Sequence, residues 1–325
     1  MEGREVILRG FALRSLLTAV ILLGGAAATI RDAGALELFG YNLKGSYGIS
    51  WYGADSLASQ PNSTFALVGV LHLNGHSKVN AGSITYNDAG TVCVGTVNTG
   101  SSTYGVLPDG QGQMTLDIVH SSGTCPITHF AFPIAISDLG GSKIARGFSV
   151  GPGVDTAVNL TGSGLALLQS ATAVTLSDKS FHSGYSFSWF GHDFTSASPN
   201  NGFGAAGEIG FDHNGQILGG SITYNDGGAI CSSGAISNGN GAGLSGSYSV
   251  NANGTATINL KVVGGTGTCP LTTIVMAAAL SDIDESGGTA GRIQFLSVAA
   301  GPHGSTSPDI IVSGFAIKVG RFSFK

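Results

Sequence analysis

A chain of 325 residues with only 10% charged positions, 42% hydrophobic positions and 53 glycines departs from ordinary soluble composition, in which roughly a quarter of residues are charged. Its formal net charge of -5, with no Lys/Arg cluster beyond the N-terminus, leaves nothing to neutralise phosphates, so no nucleic-acid partner is expected. The hydrophobic residues fall in short alternating runs, which excludes disorder of the main body and points to packed β-structure.

Arg4, Arg9 and Arg14 precede an uncharged stretch over 15–30, and Ala33, Gly34 and Ala35 then supply the small residues a signal peptidase accepts. Residues 1–35 therefore read as a secretory signal, with an apolar run too short to span a bilayer, so no membrane span is expected after cleavage. The rest of the chain is written twice. GSITYND occurs at 82–88 and again at 220–226, SYGISWYGAD at 46–55 answers GYSFSWFGHD at 184–193, GTCP recurs at 123 and 267, and SGLA at 163 answers SGFA at 313. The organisation expected is one repeat over 36–170, a linker over 171–178 and a second repeat over 179–325.

Within the first repeat the alternation predicts strands at 45–52, 65–73, 79–86, 91–97, 103–107, 113–119, 128–136, 144–150 and 159–168, with no long helical periodicity. Asn74-Gly75 answering Asn214-Gly215, and Asp109-Gly110 answering Asn253-Gly254, predict two-residue hairpins. Asn87-Asp88 before Gly90, and Asn225-Asp226 before Gly228, mark a further turn in both repeats. Successive hairpins without helical crossovers predict an all-β fold of two tandem antiparallel up-and-down β-barrels, whose closure removes the edges of an open sheet; paired β-sandwiches are the alternative. Cys93 and Cys231 occupy equivalent places, as do Cys125 and Cys269, so duplication favours the bridges Cys93–Cys125 and Cys231–Cys269 in an oxidising compartment.

The meander, the Trp-bearing first strand and the Gly-turn hairpins resemble calycin barrels, the lipocalins and avidins, and less closely allene oxide cyclase barrels. A lipocalin carries Gly-x-Trp on its first strand, whereas here Gly48-Ile-Ser-Trp51 departs from that spacing and the second repeat has no Gly at the place, so no ligand residues are carried over. The phrases around GSITxNDGG also resemble small barrel repeats of exported bacterial proteins that have no assigned role. These resemblances imply a fold and, from the calycins, carriage of a small apolar ligand.

Chemistry is sparse. None of the eight histidines meets a second histidine in the other repeat, and His182 with His192 beside Asp193 is the densest group. Gly147-Phe-Ser149-Val-Gly151 matches a nucleophile pattern but lacks its strand-to-helix setting, so no catalytic residues are assigned. Asp282, Asp284 and Glu285 form an acidic knot answered only by Asp138, which is a poor cation site, and no metal or cofactor is expected. Both repeats keep Tyr47 with Tyr185, Trp51 with Trp189, Asp55 with Asp193, Tyr86 with Tyr224 and Asp88 with Asp226. The first three pairs are the candidate ligand-binding set if they gather at a barrel mouth; otherwise the tryptophans plug the barrels and the aspartates cap turns. The function expected is a secreted, periplasmic or surface protein without enzymatic activity, binding a protein or glycan partner or serving as structure. A calycin-type carrier of a small apolar ligand is the second reading, and an isomerase or cyclase on an allene-oxide-cyclase-like barrel the third.

Overall fold

The computed structural model describes residues 43–55, 63–107, 109–121, 125, 127–139, 144–154, 159–170, 175–193, 201–226, 228–233, 243–262, 271–284, 288–301 and 310–320. The expected signal segment over 1–35 lies outside the described residues. The first half forms β1 (Lys44–Asp55), β2 (Ser63–Asn74), β3 (Val79–Asp88), β4 (Thr91–Val97), β5 (Thr103–Val106), β6 (Gln111–His120), β7 (His129–Leu139), β8 (Ala145–Val150), β9 (Gly153–Val154) and β10 (Asn159–Ser170). After one 3-10 turn at Asp178–Ser180, the second half forms β11 (Ser183–Asp193), β12 (Asn201–Phe211), β13 (Gln216–Asp226), β14 (Ala229–Ser233), β15 (Leu244–Val250), β16 (Thr255–Val262), β17 (Thr273–Ile283), β18 (Ala290–Gly301) and β19 (Ile310–Gly320). All pairings are antiparallel, and each half closes on itself. β1-β2-β3-β4-β6-β7-β8-β10 returns to β1, and β11-β12-β13-β15-β16-β17-β18-β19 returns to β11. The all-β barrel architecture thus stands over the sandwich alternative, because closure pairs the backbone groups that sandwich edges would leave open.

Alternation fills each barrel. Tyr47, Ile49 and Trp51 of β1, with Phe65, Leu67 and Leu71 of β2, enter one core, while Tyr185, Phe187 and Trp189 of β11, with Phe203, Ile209 and Phe211 of β12, enter the other. A third cluster lies between the barrels. Ala66, Val68 and Val70 face outward from β2 yet are buried, against Ala279, Leu296 and Ile311 of the second barrel. β2 therefore reads as a continuous apolar run, FALVGVLHL, because both of its faces are covered. Its equivalent β12 reads FGAAGEIGF and has only its inner face covered by apolar side chains.

The hairpins are longer than expected. Four-residue loops at 75–78, 107–110, 212–215 and 251–254 replace the two-residue turns. In the first of them Asn74 Oδ1 accepts from the amides of His76 (2.6 Å) and Lys78 (3.1 Å). Asp212 Oδ1 does the same for Asn214 and Gln216, both at 2.8 Å, so Asn74 is matched by Asp212 and not by Asn214. In this corrected register Gly215, at φ +86°, stands where the first repeat has Ser77, at φ +74°. The Asn87 and Asn225 turns are as expected: Asn87 Oδ1 accepts from Gly90 N at 3.0 Å and Asn225 Oδ1 from Gly228 N at 2.8 Å.

Candidate functional site

The retained aromatic residues hold the barrels together. Tyr47 donates its hydroxyl to Ala145 O and Tyr185 donates to Ala290 O, both at 2.7 Å. Tyr104 closes on Leu43 O (2.8 Å) and Tyr248 on Phe181 O (3.0 Å). Tyr86 donates to Ile127 O and accepts from Ile127 N, and Tyr224 accepts from Leu271 N, so each pins the chain two residues beyond a GTCP cysteine. Cys93 and Cys125 are bridged next to this clasp, with Cα atoms 5.8 Å apart. Cys231 is also disulfide-bonded, while its expected partner Cys269 lies outside the described residues. Burial lifts the Tyr47 and Tyr185 hydroxyls well above the usual phenol range, with the neighbouring Tyr104 and Tyr248 adding to it, which keeps them neutral donors.

The candidate binding set does not gather at one mouth. β1 is unbroken, so Tyr47 and Asp55 lie eight residues apart on one strand, about 27 Å at ordinary strand rise, and Tyr185 and Asp193 are separated in the same way on β11. Trp51 sits between those ends against Phe65 and Phe132, its Nε1 donating to Gly151 O at 2.9 Å. Trp189 packs on Phe187 and Phe295 but its Nε1, though buried, has no partner among the described residues. Ring packing leaves a void of only about 10 Å³ in the second barrel, between Trp189, Phe211 and Met276. That is about the room a single water needs. In the first barrel Trp51, Phe65, Tyr86, Phe130 and Phe132 form a connected stack of buried rings.

At the Asp193 end two carboxyl groups meet. Asp193 is buried and its side chain hydrogen-bonds that of Asp226, two strands away across Phe203. Burial, then the Asp193 charge and this shared hydrogen bond, push the Asp226 carboxyl up to about 6. The equivalent Asp88 is buried as well, and the Asp55 side chain lies outside the described residues. Ser149 of the nucleophile-like pentapeptide sits within β8 and donates to Ala135 O at 3.2 Å. Of the acidic knot, Asp282 pairs with Arg146 at 3.2 Å and Glu285 lies outside the described residues. No group of three metal-ligating side chains occurs among the described residues.

What sequence reasoning missed is the seam between the barrels. His192 Nδ1 lies 2.9 Å from the Tyr52 hydroxyl and 3.2 Å from Thr64 Oγ1. Asn87 Nδ2 donates to Ser297 O (3.1 Å) and Gln169 Nε2 to Leu280 O (2.7 Å). Gln294 Nε2 donates to Leu165 O (2.8 Å) and Ser50 Oγ (3.1 Å). Beside these contacts a groove of about 410 Å³ opens between the outer faces of the two barrels. The signal was in the asymmetry: His192 faces Ala54, and β2 is apolar on the side where β12 carries Glu208. A comparison that retains only what the repeats share discards the residues by which they join.

No family model matches the chain, and no curated protein matches it. Among solved structures it is similar to a double mutant of transferrin-binding protein B from Haemophilus parasuis, a vaccine antigen, at 7% identity and TM-score 0.24, covering 86% of this chain and 76% of that one. It is also similar to an AttH assignment from Nitrosomonas europaea at 9% identity and TM-score 0.27, covering 93% of this chain and 99% of that one.

Proposed function

We propose that the chain is an exported, non-catalytic binding protein in which two duplicated barrels, over 36–170 and 179–325 with 171–178 between them, hold a partner on their joined outer surface after removal of residues 1–35. The observation that carries this reading is the contrast in space: about 10 Å³ between the rings of the second barrel against about 410 Å³ in the groove outside. The Cys93–Cys125 bridge supports an oxidising destination. A carrier of calycin type, or an isomerase on such a barrel, needs interior room, and the close packing of rings around Trp189 in the second barrel favours the outer surface over it. The test is a titration of Trp fluorescence with a diverse small-molecule set, using Trp51→Phe to leave Trp189 as the only reporter of the second barrel's inside. A flat Trp189 response is expected, and saturable quenching of Trp189 would return the reading to an interior carrier. Thiol alkylation of the chain recovered from the exported fraction of its host should find no free cysteine, whereas four free thiols would remove the exported assignment.

A further inference from the structure

Two imidazoles meet at one end of the second barrel. In the sequence His182 is grouped with His192, yet β11 carries His192 to its far end, and the ring that His182 faces is His213. The two centroids are 5.6 Å apart with the planes inclined by 32°, and both side chains are exposed.

The fold mounts this pair on a rigid base. His182 stands one residue before Ser183, which pairs with Phe211, so the ladder between β11 and β12 ends where His182 and the loop over 212–215 leave it. Phe181, Phe211 and Tyr248, each next to or near these positions, pack as three rings with centroids 4.9, 5.0 and 5.2 Å apart. Tyr248 donates its hydroxyl between the carbonyls of Asp178, Phe181 and Asp212, so one group pins the backbone beside each histidine. The Asp212 side chain fixes the loop of His213 through the amides of Asn214 and Gln216.

The surroundings favour a cation. Burial works against the Asp212 charge, but the amides of Gln216 and Asn214, and then His213, hold its carboxyl below the usual range, so a negative charge sits close to His213. Asp178, whose Oδ1 accepts from Val250 N at 2.7 Å, adds a second carboxylate to this end of the barrel. The first repeat has no such pair. With Asn74 matched by Asp212, Lys44 stands at the place of His182 and Gly75 at that of His213.

We propose that His182 and His213 together chelate one divalent transition-metal ion, of the class Cu2+, Ni2+ or Zn2+, with water completing its coordination. Neutral imidazole suits these ions, whereas Mg2+ and Ca2+ want oxygen ligands. Metal–nitrogen bonds of about 2.0–2.1 Å place two imidazole centroids on one ion roughly 4.5–5.5 Å apart. The observed spacing reaches that range by a small rotation of two exposed rings. No third ligating side chain joins them among the described residues, which makes this an open, exchangeable site rather than a structural one. Among divalent first-row ions Cu2+ should bind most tightly.

Calorimetric titration of the tag-free full chain with Ni2+ tests it. One ion per chain is expected, weakened by a factor of about ten or more by His182→Ala and equally by His213→Ala, since either leaves a single nitrogen. Both positions are exposed, so circular dichroism should show intact barrels in each variant. His76→Ala, in the equivalent loop of the first repeat, should leave binding unchanged, and an equal loss there would place the ion elsewhere and overturn the proposal. With Cu2+, the electron paramagnetic resonance spectrum should carry the splitting of two imidazole nitrogens and drop to one in either variant. No saturation up to the order of 1 mM Ni2+ overturns the proposal, as does binding that survives both substitutions. Loss confined to one of the two variants would show that the rings do not share an ion, and overturns it as well.

Discussion

Trp51 and Trp189 are the same residue in the two repeats with different bonding. Trp51→Phe removes the donor to Gly151 O, whereas Trp189→Phe removes an N–H that has no partner among the described residues. Both lose similar ring contacts, so Trp51→Phe should cost more by about 1 kcal/mol in urea unfolding; equal losses would mean that the Gly151 bond adds nothing. Asp226 gives a pH dependence. Its carboxyl is lifted to about 6 from 3.8 by burial, then by Asp193, so in that window the folded protein holds a proton the unfolded chain releases. Stability therefore falls as pH rises from about 4 to about 6 and levels above that. With solvent screening of a partly exposed group the loss should be about 1 to 2 kcal/mol. Asp226→Asn should flatten the profile and stabilise at pH 7.5, and an unchanged slope would show that the carboxyls do not interact. Identity across the repeats revealed these positions, because they close each barrel in the same way. It could not reveal that the two aspartates meet, which depends on strand register across Phe203.

At the scale of elements, the strand runs of the first repeat were legible to within about three residues at their ends, with the short β9 missed, since alternation follows directly from a pleat with one wet face. Loops were less so: the expected hairpins turned out to be four-residue loops, two of them closed from the strand ends by Asn74 and Asp212 and two from within the turn by Asp109 and Asn253. The shifted register has a consequence at Ser77. Its φ of +74° lies in the left-handed region, where an L side chain is strained, and the second repeat places Gly215 there at +86°. Ser77→Gly should stabilise the first barrel by about 1 kcal/mol, less the greater entropy of glycine in the unfolded chain. Thermal melting that shows a loss would contradict the strain. The bridge between β4 and the segment before β7 acts on a larger scale. Cys93 and Cys125 are 32 residues apart, and replacing both by Ser should cost about 3 to 4 kcal/mol by loop entropy. The check is the shift of the urea midpoint under non-reducing conditions.

For the whole molecule the question is whether two barrels behave as one. The seam buries Val68 and Val70 against Leu296 and Ile311, and it ties Asn87, Gln169 and Gln294 to carbonyls of the opposite barrel. Unfolding either barrel alone would expose this apolar surface and strip partners from buried polar groups, each costing about 1–3 kcal/mol. The Cys93/Cys125 double serine variant weakens only the first barrel directly, and the two tryptophans report separately: Trp189→Phe leaves Trp51 as the probe of the first barrel and Trp51→Phe leaves Trp189 for the second. A coupled molecule must move both midpoints by the same amount when the bridge is removed. Val68→Asp places an unpaired charge in the seam while leaving both inner faces intact, so it should split the midpoints of the two probes. Independent midpoints in the parent chain would mean that the seam contributes no cooperativity, and the groove beside it would then lack a rigid frame. Nothing in either repeat alone predicts this coupling, because it arises where β2 and β12 stopped being alike.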